Sequence, residues 1–286
     1  MFSKNLSLAV ILIAVTYFSY PSARASSCVW KVIGPSGGLL FLGGSVHALR
    51  PTDYPLPSAY NRAFDASSRL VFEVDPKASS EAMKDLTKAG QYPKGDSLRN
   101  HVDPRTYDYL RRFFALRKIP EEKFTTFKPW FINLLLSSPS TEHFNLGVER
   151  FLTQRALANS KSMSALESVK EHNQVFEGLT DRESEAVLLI LFINAGRETP
   201  EGVNIVDAWR RGDADTIASR IRDSYRDFPA FRDRLLGNRN RNWVPKIESY
   251  LRSGQTYFVV VGAGHMGGHD GLLALLRLRG CKIEQL

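Results

Sequence analysis

Thr256-Tyr-Phe-Val-Val-Val261 runs without a charge into Gly262-Ala-Gly-His265-Met-Gly-Gly-His269-Asp-Gly271, and then into Leu272-Leu-Ala-Leu-Leu-Arg-Leu-Arg279. The first segment reads as a strand, the second as a glycine-rich turn, and the third as a helix stopped by Gly280. Cys281 to Leu286 reads as a last strand. Strand, turn, helix and strand in that order is the pattern of an α/β chain. The same phrase occurs near the other end as Leu40-Phe-Leu-Gly-Gly-Ser-Val-His47, again an apolar strand, a glycine turn and a histidine.

The N-terminal part continues the pattern. Val29–Ile33 and Leu39–Leu42 flank Gly34-Pro-Ser-Gly-Gly38, which predicts two strands and a turn. Thr52 to Ala66 carries Leu56, Ala59, Tyr60, Ala63 and Phe64 at helical spacing, with prolines only in its first turns. Arg69 to Val74 is a β-rich run closed by Asp75-Pro76. From about residue 77 to 250 helical patterns dominate. They include Trp130-Phe-Ile-Asn-Leu-Leu-Leu136, a helix opened by Thr180-Asp-Arg-Glu183, and a charged amphipathic helix from Asp213 to Tyr225. Ser162 to Leu166 is a candidate short strand. The expected architecture is α/β, with a central mixed sheet drawn from the N- and C-terminal segments and a largely helical middle.

The 286 residues are 43% hydrophobic and 24% charged, ordinary globular usage that excludes collagen-like and wholly disordered chains. Met1 to Ala25 reads as a secretory leader: Lys4, an apolar run from Leu6 to Phe18, Pro21, and a small-x-small site at Ala23-Arg-Ala25. That run is too short to span a bilayer core of about 30 Å. The residue three places before Cys28 does not suit lipoprotein cleavage. No later segment offers 18 unbroken apolar residues, so no span is expected after cleavage. Cleavage leaves 261 residues and removes Lys4 and Arg24, lowering the formal charge from +8 to +6. The expected location is secreted or periplasmic. In that oxidising setting Cys28 and Cys281, at the two ends of the mature chain, are expected to form a disulfide. It would contribute about 5 kcal/mol in the chain-entropy account; the alternative is two unpaired core thiols.

The basic residues do not form a nucleic-acid site. Arg111-Arg112, Arg117-Lys118 and Arg210-Arg211 are scattered among acids on helical patterns. Arg239-Asn240-Arg-Asn-Trp243 is the compact exception, and an arginine there could hold a carboxylate or stabilise an oxyanion. Two cysteines exclude a Cys-rich zinc module. Gly262-Ala-Gly264-His-Met-Gly267 matches a dinucleotide fingerprint, but too little chain follows it to complete that fold. Gly43-Gly-Ser45-Val-His47 resembles a nucleophile elbow with histidine in place of the last glycine. No P-loop occurs. The strongest constellation is His47, Glu73 and His265, each at the carboxyl end of an apolar strand, where open α/β sheets bind ligands. Two imidazoles and a carboxylate are a common ligand set for a catalytic metal, which needs open coordination positions.

These blocks resemble the TraB/GumN family, which includes the Tiki proteases. The resemblance is carried by Gly44-Ser45-Val-His47, Pro51 to Pro57, Val71-Phe-Glu73-Val-Asp75 and Gly147-Val-Glu149. It continues through Ser164-Ala-Leu-Glu167-Ser168, Arg239-Asn240-x-x-Trp243, Phe258 to His265 and Asp270-Gly271-Leu272. Glu149 stands where the family usually has Asp, and Ser168 where it often has Thr. The resemblance implies one domain over residues 26–286, with a fold akin to erythromycin-esterase and haem-binding ChaN-like proteins, and a metal-dependent peptidase activity. It implies that His47, Glu73 and His265 are the metal or catalytic residues and that Arg239 belongs to the family pattern. The expected catalytic set is then a divalent metal of the Mn, Co or Zn class on the first three, with Glu73 as general base if it is not a ligand, and Arg239 stabilising the oxyanion. Gly44, Ser45, Asp75, Glu167, Asn240, Gly262 and Asp270 would support them.

The expectation is therefore an extracytoplasmic metal-dependent hydrolase acting on a peptide or protein substrate. The alternative is a non-catalytic binding or accessory protein using the same pocket for haem, metal or a glycan. Neither reading calls for a nucleic-acid partner or predicts an oligomeric state.

Overall fold

The computed structural model describes residues 27–138, 141–196 and 205–286. The expected leader, residues 1–25, lies outside them. The strands are β1 (Val29–Ile33), β2 (Leu39–Ser45), β3 (Arg69–Phe72), β4 (Ser162–Ala165), β5 (Tyr257–Gly262) and β6 (Lys282–Gln285). They form one mixed sheet in the order β4-β3-β5-β2-β1-β6. β4, β3, β5 and β2 run parallel, while β1 is antiparallel to both its neighbours. The inner strands are apolar throughout: Phe258 to Val261 and Leu40 to Leu42 are buried, as a sheet covered on both faces requires. The fold is thus α/β with a helical middle. The short strand at Ser162 joins the sheet as its edge.

The helices are α1 (Ser58–Ala66), α2 (Ser79–Ala89), α3 (Pro104–Leu116), α4 (Pro129–Ser137), α5 (Thr141–Asn145), α6 (Val148–Ala158) and α7 (Val169–Glu177). There follow α8 (Asp181–Gly196), α9 (Ile205–Arg210), α10 (Ala214–Ser224), α11 (Pro229–Arg232), α12 (Asn238–Arg252) and α13 (Leu272–Leu278). Caps explain several starts. Thr180 and Glu183 bond reciprocally at the head of α8, Ser168 and Glu171 do so at α7, and Asp213 accepts from Thr216 N at α10. None of the helices described is long and apolar enough to cross a membrane.

Two expectations are corrected. The helix expected from Thr52 begins only at Ser58, after a 3₁₀ turn at Pro51–Asp53. Pro55 and Pro57 bias Tyr54 and Leu56 away from helical backbone, so the intervening residues stay extended. The Cys28–Cys281 disulfide is absent; both are free, buried thiols. The antiparallel register pairs Trp30 with Gln285 and Ile33 with Lys282, so continuing it sets Cys281 opposite Gly34, at the far end of β1 from Cys28. The strand between is about 20 Å long at roughly 3.3 Å per residue, and a disulfide needs Cα atoms within about 7 Å. Hydrogen bonds tie the termini instead: Ser27 N donates to Leu286 O and Leu286 N to Val29 O, each at 2.9 Å. Burial pushes the Cys28 thiol up to about 12.

A main core sandwiches the sheet with α1, α12 and α13, through Tyr60, Phe64, Trp243, Ile247 and Leu276 among others. The helical middle has a separate cluster of Leu98, Leu110, Phe114, Phe124, Ile132 and Leu188.

Candidate active site at the strand ends

The four parallel strands deliver one side chain each to the same edge. His47 follows β2, Glu73 follows β3, Glu167 follows β4, and His265 follows β5. Because the strands are parallel, their carboxyl ends coincide in space, so residues far apart in sequence meet.

The β2 turn is held by a polar network. Tyr60 Oη donates to Gly44 O, and Trp209 Nε1 donates to the same carbonyl at 2.7 Å. Gly147 brings the start of α6 against this turn: a Cβ there would stand 2.3 Å from His47 O, so only glycine permits the approach. Val148 N then donates to Val46 O, and Glu149 faces the turn. Glu149 accepts from Ser45 Oγ at 2.5 Å and pairs with His47 Nδ1 at 3.0 Å. The Glu149 charge, reinforced by that hydrogen bond, raises His47 to about 9 against a smaller opposing effect of burial. Burial opposes ionisation of Glu149, yet His47 and Ser45 hold its carboxyl below the usual range. Ser45 donates to Glu149, but a carboxyl held below its usual range is a weak base for activating a nucleophile.

The β5 turn differs. His265 is buried, and its Nδ1 lies 2.7 Å from Asn240 Oδ1. The Asn240 amide is oriented because its Nδ2 donates to Asp270 O at 2.8 Å and to His265 O at 3.4 Å. Its oxygen therefore faces the ring, which assigns the proton to Nδ1 and the lone pair to Nε2. Burial lowers His265 to about 4, with Arg239 adding to the effect over the attraction of Glu73.

Glu73, Glu167 and Arg239 occupy the centre. Arg239 Nη2 donates to Glu73 Oε2 and to Glu167 Oε1, both at 2.6 Å. Its Nε donates to Glu167 at 3.2 Å, and Nη1 donates to Leu235 O and to His265 Nε2, also at 3.2 Å. Every N–H of the guanidinium thus has an acceptor, and the plane lies 4.6 Å over the Trp243 ring. Glu73 Oε1 accepts from Gly262 N at 2.7 Å. Burial opposes its ionisation, but the charges of Arg239 and then of the surrounding histidines hold the carboxyl well below the usual range. Glu167 is likewise lowered against burial, by hydrogen bonds from His172 and Arg239, and Trp243 Nε1 also donates to it.

The remaining expected residues divide. Gly44, Ser45, Glu167, Asn240 and Gly262 contact the cluster as described. Asp270 contributes only its carbonyl. Asp75 lies apart, accepting from Lys77 N in the turn after β3. Sequence reasoning missed His172, whose Nδ1 stands 2.7 Å from Glu167 Oε1. Its signal was the Ser168 capping box, which sets His172 one turn into α7 and back over Glu167. The pairing of Glu149 with His47 was also missed, because nothing in the spacing joins β2 to α6.

The donors suit a divalent ion in kind. His265 Nε2 and Glu73 Oε1 are 3.8 Å apart, a gap that two metal–ligand bonds of about 2.1 Å can bridge. Among the described residues, Glu73, Glu167 and His172 also form a group with the spacing of metal ligands. There, however, Arg239 Nη2 already stands between the two carboxylates as the cation. A cavity of about 490 Å³ is lined by His47, Glu73, His172, Arg239 and His265 together.

Fold and site together define a mixed α/β protein with a histidine–carboxylate–arginine centre at the ends of its parallel strands. The TraB/PrgY/gumN family model matches residues 28–285, and the chain belongs to that family. The chain is also similar to a Danio rerio protein named metalloprotease TIKI2. They are 23% identical over 302 residues, covering 85% of this chain and 58% of that protein. The chain therefore spans less than two thirds of that relative's length. No solved structure gives a significant match.

Proposed function

We propose that the protein is an extracytoplasmic, metal-dependent hydrolase of peptide bonds, with a divalent ion held by His47, Glu73 and His265. One observation carries this reading. Both strand-end histidines have Nδ1 tied to an acceptor, Glu149 for His47 and Asn240 for His265, and both line one cavity with ionised Glu73. Histidines oriented through one nitrogen by a carboxylate or amide are the usual neighbours of a metal. To serve here, His47 would give up the proton on its other nitrogen, and His265 Nε2 would exchange its contact with Arg239 Nη1 for the ion. The similarity to a relative named as a metalloprotease supports the same class. A bound ion would polarise a carbonyl and acidify water.

The residues' own properties divide the remaining roles. A general base works best with a pKa near the working pH. Glu73 sits far below that, so it is assigned as a ligand rather than a base. Arg239, with all its N–H groups engaged, is a positioning residue that keeps Glu73 and Glu167 ionised and oriented. The leader read at residues 1–25 supports an extracytoplasmic location, to be tested by N-terminal sequencing of the exported protein.

The test compares metal content and peptide hydrolysis, with Mn, Co or Zn supplied, across three proteins. The wild type is expected to bind one equivalent. The His47→Ala/His265→Ala variant is expected to lose both metal and turnover. Glu167→Gln/His172→Ala is expected to retain metal. Equal metal in wild type and the double histidine variant overturns the ligand assignment. Metal binding without turnover of any peptide or ester favours the binding-protein alternative.

A further inference from the structure

A second cavity, of about 330 Å³, adjoins the candidate site. It shares His47, Glu73 and His172 with the first, so the charged edge is the wall where the two meet. Away from that edge its lining is mainly apolar, with Phe72 and Val74 at the end of β3, Ala82, Met83 and Leu86 from α2, and Phe144 from α5. Asp75, Arg150, Thr153 and Asn173 also border it. Met83 and Phe144 are 58% and 52% exposed. Exposed apolar side chains are ordinary one at a time; what sets these two apart is that both border one concavity that opens onto reactive groups. At 330 Å³ the cavity is at the small end of ligand sites, suited to one side chain rather than a whole cofactor.

We infer that this cavity is a specificity pocket that takes a large apolar side chain, of leucine, methionine or phenylalanine size, from a peptide whose backbone lies across His47 and Glu73. The inference rests on the hydrolase reading for its peptide occupant, and on the continuity of the two cavities for its position. Ala82 lies at the wall, so a larger residue there fills the pocket from an exposed helix.

Two readouts test it. Mass-spectrometric profiling of cleavage in a mixed peptide library, with metal added, is expected to give at least about a ten-fold preference for Leu, Met or Phe over Ala at one position beside the cut. Ala82→Trp is expected to shift that preference to Gly or Ala, and Met83→Lys to weaken it should the tryptophan variant misfold. The second readout needs no turnover. In protein labelled at its methionine methyls, N-acetyl-Leu-Leu-amide is expected to shift the Met83 signal and to leave Met163 and Met266 in place. N-acetyl-Ala-Ala-amide is expected to do neither. A Met83 shift without hydrolysis of any peptide keeps the pocket and removes the hydrolase reading. Hydrolysis with no side-chain preference and no Met83 shift overturns the pocket and keeps the hydrolase. A shift with decanoyl amide but not with the leucine peptide overturns the peptide occupant in favour of an acyl chain.

Discussion

Gly44-Ser-Val-His47 and Gly262-Ala-Gly-His265 are the same local device, a glycine turn that presents a histidine beyond a parallel strand, yet the two imidazoles sit in opposite electrostatic states. The His47 side chain is 67% exposed and its pKa is raised to about 9 by the Glu149 carboxylate. The His265 side chain is 5% exposed and lowered to about 4 by burial, with a neutral amide as its partner. At neutral pH one ring is a cation and the other is a neutral donor with its Nε2 lone pair toward Arg239. A turn motif thus delivers an imidazole, while the partner and the solvent decide what the imidazole can do.

The largest test removes the cation that stands between Glu73 and Glu167, beside His265. Arg239→Ala leaves Glu73 and Glu167 as buried carboxylates without their shared counter-charge. It is expected to destabilise the fold by about 3–5 kcal/mol in urea unfolding, the usual result of breaking a buried pair. A loss below about 1 kcal/mol would mean that the two carboxylates are protonated or hydrated in the native state.

Next, the partners can be exchanged. Asn240→Asp gives His265 the kind of partner His47 has, and is expected to bring it up from about 4 into the ordinary imidazole range in an NMR titration. If it stays near 4, burial alone governs this turn. The linked stability has a definite sign. His265 binds its proton less readily folded than unfolded, so wild-type stability falls as pH drops from about 6.5 through 4. Asn240→Asp should shrink that acid loss.

Glu149→Gln probes the opposite slope. His47 binds its proton more readily when folded, so its contribution is complete below about pH 6.5 and disappears as pH rises through 9. Glu149→Gln is expected to return His47 toward 6.5 and flatten the alkaline limb. Solvent screening of the exposed ring keeps the contribution below about 1 kcal/mol.

A third histidine, in the helical middle, gives the smallest effect. His101 sits between Asp181 at 2.8 Å and Asp96 at 2.7 Å, and the Asp181 hydrogen bond raises its pKa. Asp181 is largely exposed, so Asp181→Asn is expected to cost no more than about 0.5 kcal/mol, with His101 still stacked on Tyr92. A larger loss would make this clamp part of the fold's core rather than its surface.

Much of the site was legible because its residues break local rules. Glu73 is a carboxylate one residue beyond a buried strand. Arg239 and Asn240 fall on the same helical face as Trp243, Val244, Ile247 and Leu251, so the periodicity of α12 places polar groups where core is expected. His172 and Glu149 break no such rule. Each lies on a helix of ordinary polarity, and only the packing of α7 and α6 against the sheet edge gives it a partner. The cysteines show the converse error: their place at the chain ends suggested a bridge, and strand direction forbids it.

The sequence by itself determined the strands, the glycine turns after them, the helical middle and the identity of the residues at the strand ends. These follow from local patterns, since apolar period, caps and turn residues act over a few positions. Tertiary structure alone decided that four strand ends coincide, that Arg239 supplies the cation between Glu73 and Glu167, and that His47 is charged while His265 is neutral. Charge states depend on burial and on neighbours brought from distant parts of the chain, as Glu73 and Gly262 are across 189 positions, and such distances leave no local trace.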